Sequence, residues 1–296
     1  MNPALLPPRP LDAHKGVFGM VCVVGGQCDD DAIMIGAPAL AAQAALRSGC
    51  GRVVIAADGA VVENCLRLCP SATGHPLALD SDGGVHEQQA IESVRRLGTQ
   101  VQSLLIGPGL GTKPWVAELV NAVLDTSGPP LVIDADALTA LAHGAAPSLD
   151  ATRRSVVLTP HPGEFDSLAQ AWSLPLAGET SETRTAAAVA MAQRCGCVVV
   201  LKGHGTVVAD SSGDHWRCAQ GGPELATAGT GDVLAGLITG LAAQQPDVDI
   251  APLTCLAVEC HAAAGAHWRA QHGDRGMLAQ ELADAIPEVI RLRGTV

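Results

Sequence analysis

Residues 226–241 read Ala226-Thr227-Ala228-Gly229-Thr230-Gly231-Asp232 and then Val233-Leu234-Ala235-Gly236-Leu237-Ile238-Thr239-Gly240-Leu241. A loop of small residues runs into a segment whose large apolar positions, Val233, Leu234, Leu237, Ile238 and Leu241, recur with helical spacing. Small side chains let a ligand approach the backbone, and successive N–H groups at a helix N-terminus attract negative charge. Asp232 adds a carboxylate to the first turn of that helix. So placed, it can take a proton from a hydroxyl that is meeting a phosphate. The position also suits a purely structural acid at the positive end of a helix dipole.

Outward from this stretch the chain repeats one grammar. Short β-branched runs end in small or polar residues, and Ala-rich helical stretches separate them. The runs are Met20–Val24 before Gly25-Gly26, Arg52–Ala57 before Asp58, and Leu104–Ile106 before Gly107-Pro108-Gly109-Leu110-Gly111. Leu131–Ile133 precedes Asp134-Ala135-Asp136, Val156–Leu158 precedes Thr159-Pro160-His161-Pro162-Gly163-Glu164, and Val198–Leu201 precedes Lys202-Gly203-His204-Gly205-Thr206. Continuous apolar runs of this length suit strands buried on both faces. The expected fold is a single-domain three-layer α/β/α arrangement with a mostly parallel central sheet. Ligands of such sheets bind beyond the carboxyl ends of the strands, where these Gly, Asp, His and Lys residues fall. Helices are expected at Ile35–Ser48, with Gly49 at its C-terminus, and at Trp115–Leu124, Thr180–Arg194 and Leu253–Ala270. Ser71–Val85, with Pro76 and Gly83-Gly84, reads as loop or hairpin. Met1–Pro10 is expected to be a flexible segment, with one domain over 11–296.

Composition narrows the function. With 296 residues, 48% hydrophobic and 16% charged, the chain can bury a large core. No Tyr and two Phe leave that core to Val, Leu, Ile and Ala. A net charge of −12 without a Lys/Arg cluster argues against nucleic acid as a partner. No apolar run is long enough to span a membrane and no signal peptide is evident, so a cytoplasmic location is expected. Most of the ten Cys lie in apolar stretches and are expected to be reduced and buried; no CxxC pair supports a zinc site. His261, His267 and His272, five and six residues apart, do not share a helical face and read as surface or core histidines. There is no Gly-Lys dipeptide for a Walker loop, no complete GxGxxG and no GxSxG. Lys202 is either a phosphate-facing charge or a strand-end lysine reaching solvent.

In their order, the Gly107–Gly111, Asp134–Leu138, Thr159–Glu164, Lys202–Thr206 and Ala228–Asp232 motifs resemble those of the NAD(P)H-hydrate dehydratases of the ribokinase-like superfamily. His14-Lys15-Gly16, the run from Gly36 to Leu46, and Gly273-Asp274-Arg275-Gly276 through Pro287 extend the resemblance over nearly the whole chain from about Leu11. The resemblance implies a repair reaction. Hydrated NADH or NADPH carries a hydroxyl at C6 of the nicotinamide ring; ADP or ATP phosphorylates it, and phosphate then leaves. Mg2+ is the implied cofactor, NAD(P)H hydrate and an adenine nucleotide the implied partners, and a homotetramer the implied assembly.

By the same resemblance Asp232 is the base and also touches substrate, and Gly229, Thr230 and Gly231 form the anion hole. Lys202, Gly203, His204, Gly205 and Thr206 meet the nucleotide. Ala37, Gly109 and His161 line the hydrated dinucleotide, and Glu164 supports the metal through a water. For His161 the structural alternative is a turn residue between two prolines. Asp134 and Asp136 either orient ligand groups or cap the next helix. Two stretches depart from the family pattern. Gly221-Gly222-Pro223-Glu224-Leu225 stands where many members have Asn-Pro-Gly-Met, and Gln27-Cys28-Asp29-Asp30-Asp31 is unusually acidic. The family's bacterial members often carry an N-terminal epimerase domain, which is not expected in these 296 residues. Alternatives are a small-molecule kinase of the same superfamily, which would stop at the phosphorylated product, and a nucleotide-binding protein without chemistry.

Overall fold

Alternation along the buried strands sets the layers. In the computed structural model, which describes residues 1–28, 32–81, 83–144 and 153–293, Val21 and Val23 face one apolar cluster while Cys22 and Val24 face another. Val132 and Leu131/Ile133 divide in the same way, as do Val157 and Val156/Leu158. Neither face of these strands meets water, which is why their sequences are continuously apolar.

The strands, in chain order, are β1 (Met20–Val24), β2 (Gln27–Cys28), β3 (Ile33–Met34), β4 (Arg52–Ala57), β5 (Thr73–Pro76), β6 (Ser103–Ile106), β7 (Leu131–Ile133), β8 (Val156–Leu158), β9 (Val198–Leu201), β10 (Val207–Ala209) and β11 (His215–Arg217). Among the described residues nine of them form one sheet in the order β11-β10-β9-β8-β7-β6-β1-β4-β5. From β5 to β9 the pairing is parallel throughout; β10 and β11 add an antiparallel edge. β2 and β3 form a separate hairpin. The fold is thus the expected three-layer α/β/α arrangement around a mostly parallel sheet.

The helices are α1 (Gly36–Arg47), α2 (Gly59–Leu68), α3 (Glu87–Gly98), α4 (Pro114–Leu124), α5 (Asp136–Leu141), α6 (Pro162–Ala171), α7 (Ser181–Cys195), α8 (Thr230–Gln244), α9 (Ile250–His272) and α10 (Ala279–Arg293). Helices α1, α2 and α8–α10 cover one face, and α3–α7 the other. On the first face α1 and α8 pack backbone against backbone. A methyl group at Gly236 would collide with the Ala41 carbonyl, and one at Gly240 with Ser48 Oγ. Two helical glycines cost about 1 kcal/mol each in propensity, and the close approach they permit brings the N-terminus of α8 up to the sheet.

One expectation changes. Ser71–Val85 contains β5, an edge strand pairing Val54–Ala57 with Thr73–Pro76, besides an antiparallel bridge between Leu79 and Val85. Gly74 and Pro76 hid the strand, and both are tolerated because the strand is at the edge. Met1–Pro10 has no helix or strand, yet it is held against the body. The Ala4 amide donates to Pro252 O (3.0 Å), and Arg9 donates to Gly49 O (2.6 Å) while lying over the Phe18 ring. Asp29, Asp30 and Asp31 of the acidic departure lie outside the described residues.

Candidate active site

The carboxyl ends of β1, β6, β7, β8 and β9 lie along one edge of the sheet, and the first turn of α8 faces them. Gly229 is the N-cap of α8 at φ +91°, crowded by Leu40 and Ala279, whose atoms lie 2.7 and 2.9 Å from where a Cβ would stand. Only glycine suits that conformation in that space. No side chain caps the helix; the Thr230 N–H turns back to the Thr227 carbonyl at 3.4 Å, and the Gly231 and Asp232 amides follow it in the first turn that faces the site. The Thr230 hydroxyl is 2.9 Å from both the Leu225 and Thr227 carbonyls and donates into that pair, tying the loop together.

Facing this turn, which carries Asp232, are three further acids, Asp134, Asp136 and Glu164, and one lysine, Lys202. Lys202, carried past the end of β9, donates to Asp134 Oδ1 at 2.8 Å, with Glu164 Oε2 at 3.9 Å. Its side chain is only 17% exposed, so it is a paired site residue and does not reach out to solvent. Burial pulls the Lys202 ammonium down, but Asp134 and Glu164 outweigh it and hold the pKa above the ordinary value. Burial, reinforced by Asp134 and opposed by Lys202, pushes the Asp232 carboxyl up to about 7. Glu164 is raised to about 7 as well, again chiefly by burial, with Lys202 opposing. Two carboxyls thus change charge near neutral pH at the mouth of a helix N-terminus.

The aspartates after β7 have distinct tasks. Asp134 is buried and accepts the Thr159 hydroxyl at 2.7 Å besides the lysine. Ala135 follows at φ +50°, a conformation that few non-glycine residues adopt. Asp136 then accepts the Gly111 N–H at 2.8 Å, anchoring the glycine loop after β6. In that loop a side chain at Gly107 would collide with the Asp134 carbonyl. Neither aspartate supplies a side-chain cap to α5.

His161 has the structural part considered for it, as the cap of α6 after Pro160. Its Nδ1 accepts the Gly163 and Glu164 amides (3.1 and 3.2 Å), capping α6, while Glu164 Oε2 accepts the His161 N–H at 2.8 Å. An accepting Nδ1 places the proton on Nε2, which lies 3.5 Å from Glu164 Oε1 on a half-exposed ring. Burial and the Lys202 charge lower the His161 pKa, favouring the neutral ring.

Beside the cluster opens a cavity of about 560 Å³. Lys202, Gly203, His204, Thr206, Thr230 and Gly231 all line it. Gly205 and Gly229 do not; at φ +67° and +91° they shape the two loops. Ala37, Gly109 and His161 also lie outside this cavity. Ala37 and Gly109 meet each other beside Met34, where a Cβ at Gly109 would be 3.4 Å from that of Ala37.

Arg184 and Arg269 were not picked out by sequence, and His261 was read only as a surface or core histidine. Arg184 on α7 donates to the Leu201 and Lys202 carbonyls (3.3 and 3.0 Å), bracing the loop that carries Lys202. His261 and Arg269 on α9 line the cavity. Arg269 pairs with Glu224 at 3.3 Å, and Glu224 is buried in the departing Gly221–Leu225 stretch, where Pro223–Leu225 makes a 3₁₀ turn. Gly222 leaves room for this pair, since a Cβ there would strike Arg269 and lie 2.5 Å from Glu224 Oε2. Position 224 offered a signal, an acid in an apolar neighbourhood, but its partner is 45 residues away.

A mostly parallel sheet with an anion-directed helix and an aspartate in its first turn defines a ribokinase-like protein. A ribokinase-like superfamily protein of Enterococcus faecalis superposes with a TM-score of 0.79 at 27% identity, over 99% of this chain and 93% of its own. The sequence model described as NAD(P)H-hydrate dehydratase matches residues 21–288, and the chain belongs to that family. It is 34% identical to the ADP-dependent (S)-NAD(P)H-hydrate dehydratase of Bacillus subtilis, over 97% of this chain and 94% of that protein. A structure of the Bacillus subtilis ADP/ATP-dependent enzyme, co-crystallised with ATP/Mg2+, superposes with a TM-score of 0.80, covering 97% and 94% of the two chains at 32% identity. The bifunctional NAD(P)H-hydrate repair enzyme of Salinibacter ruber is 37% identical over 96% of this chain. The chain spans about half the length of that relative.

Proposed function

We propose that this chain is a hydro-lyase that restores NADH or NADPH from its C6-hydrated form at the expense of ADP or ATP. The observation that carries the reading is Asp232, a carboxyl raised to about 7 in the first turn of α8, beside amides that attract a phosphate. Asp232 takes the proton of the C6 hydroxyl as its oxygen attacks the terminal phosphorus of the nucleotide, the bond from that phosphorus to the bridging oxygen breaks, and AMP (from ADP) or ADP (from ATP) leaves. The amides of Gly229–Gly231 receive the charge that builds on the transferred group, and Lys202 supplies the cation within the site. The ring nitrogen's lone pair then expels phosphate from C6, a far better leaving group than hydroxide, and loss of a ring proton from C5 restores the reduced cofactor.

The nucleotide occupies the cavity between the Lys202–Thr206 loop and α9, and the hydrated dinucleotide the side of Ala37, Gly109 and His161. The donors suit Mg2+, a hard ion held by one or two carboxylates plus waters and phosphates. Among the described residues no group of three His, Cys, Asp or Glu is arranged to hold a metal directly. Glu164 would therefore hold it through water, and when bound it neutralises phosphate charge. The family resemblance supports a homotetramer. No helix among the described residues is long and apolar enough to cross a membrane, and a cytoplasmic place fits a substrate that arises from the reduced cofactor pool.

The test is a repair assay with hydrated NADH, Mg2+ and ADP or ATP. Near-ultraviolet absorbance is expected to return only with nucleotide, and not with Asp232→Asn. Folded protein that binds ADP yet restores no absorbance would overturn the reading in favour of a kinase.

A further inference from the structure

His261 sits on α9, directly behind the first turn of α8. Its Nε2 lies 2.8 Å from the Thr230 carbonyl oxygen. A carbonyl oxygen only accepts, so Nε2 carries the proton and Nδ1 is bare. Burial keeps the ring neutral, pushing its pKa down to about 4. The peptide unit that ends in the Thr230 oxygen is planar, and its other end is the Gly231 N–H. Gripping the oxygen therefore fixes the direction of that amide. The Thr230 oxygen also stands at the start of the hydrogen-bond ladder of α8, so His261 adds a second grip at that end of the helix. Gly231 has no side chain to pack there, and the Thr230 hydroxyl holds only the near side of the turn, through Leu225 and Thr227.

We propose that His261 is a positioning residue of the phosphate cradle, which donates Nε2–H to the Thr230 carbonyl and thereby aims the Gly231 amide at the transferred phosphoryl group. The role rests on the phosphoryl-transfer reading of the same site. It explains why a polar ring stands in the wall of the nucleotide cavity while making its bond to the backbone of α8. Charge on the transferred group grows in the transition state, so a misaimed amide lowers kcat more than it weakens nucleotide binding.

The experiment compares His261→Leu, which removes the donor, with His261→Gln, whose amide nitrogen reaches where Nε2 stands. In the repair assay His261→Leu is expected to lose on the order of 30-fold in kcat with less than about a threefold change in nucleotide KM. His261→Gln is expected to recover most of kcat. Hydrogen–deuterium exchange of residues 226–234, with ADP present, should quicken in the Leu variant and stay near wild type in the Gln variant. Wild-type kcat in His261→Leu, or equal loss in both variants, would overturn the proposal. Should the wild type itself restore no reduced cofactor, the reaction falls but the exchange comparison still decides. Unchanged exchange in the Leu variant would then refute the positioning role.

Discussion

Replacing Asp232 with Asn should make the protein more stable, and the gain should depend on pH in a defined way. A carboxyl held at about 7 rather than 3.8 is one whose ionised form the fold disfavours. Because the folded pKa is raised, the folded state binds the proton more tightly than the unfolded chain does. The cost of ionisation is absent below the unfolded value, grows between about pH 4 and 7, and is complete above it. Taken at face value the difference corresponds to roughly 4 kcal/mol at alkaline pH. Asp232 is partly exposed, and solvent screening leaves about 2 kcal/mol as the working figure. Asn keeps the shape and removes the charge. Urea denaturation at matched protein concentration should show Asp232→Asn more stable by about 2 kcal/mol at pH 8, shrinking to about half of that at pH 4.5. An Asn variant less stable than wild type at pH 8, or a gain independent of pH, would refute the reasoning. The same variant should lose nearly all repair activity, a direct exchange of stability for function.

Other consequences follow from the same geometry. For the free enzyme, kcat/KM should rise with pH to a plateau above about 7, with a limb steeper than one proton because Asp232 and Glu164 titrate together; a flat profile from about pH 5.5 to 8 would contradict it. Lys202→Met removes the cation that opposes both rises, so the acid limb should move to higher pH as kcat falls, read from the same profile. Gly236→Ala should lose roughly 1–3 kcal/mol in thermal or urea denaturation, because the methyl group meets the Ala41 carbonyl and outweighs alanine's better helix propensity.

Most of the sheet was legible because buried parallel strands are continuously apolar and end in abrupt polar or glycine signals. β1, β4, β7, β8 and β9 fall on the expected runs residue for residue. What escaped lacked that contrast. β5 is exposed and carries Gly74 and Pro76, and β10 and β11 are three residues each. The site was legible where a motif keeps its residues together, as in Gly229–Asp232 and Lys202–Thr206. It was not where function rests on a contact between distant segments. Asp134 and Asp136 were seen, but their separate partners, Lys202 and the Gly111 amide, could not be read from adjacency. His261 was weighed only for metal-ligand spacing, whereas its bond is to a backbone carbonyl 31 residues upstream.

The most direct measurement is the stoichiometry of turnover with hydrated NADH and ADP, following reduced cofactor, inorganic phosphate and AMP in one reaction. The mechanism predicts that the three appear together, one for one, and that Asp232→Asn abolishes all of them. AMP and a stable phosphorylated dinucleotide without reduced cofactor would contradict it, leaving phosphoryl transfer but no dehydration.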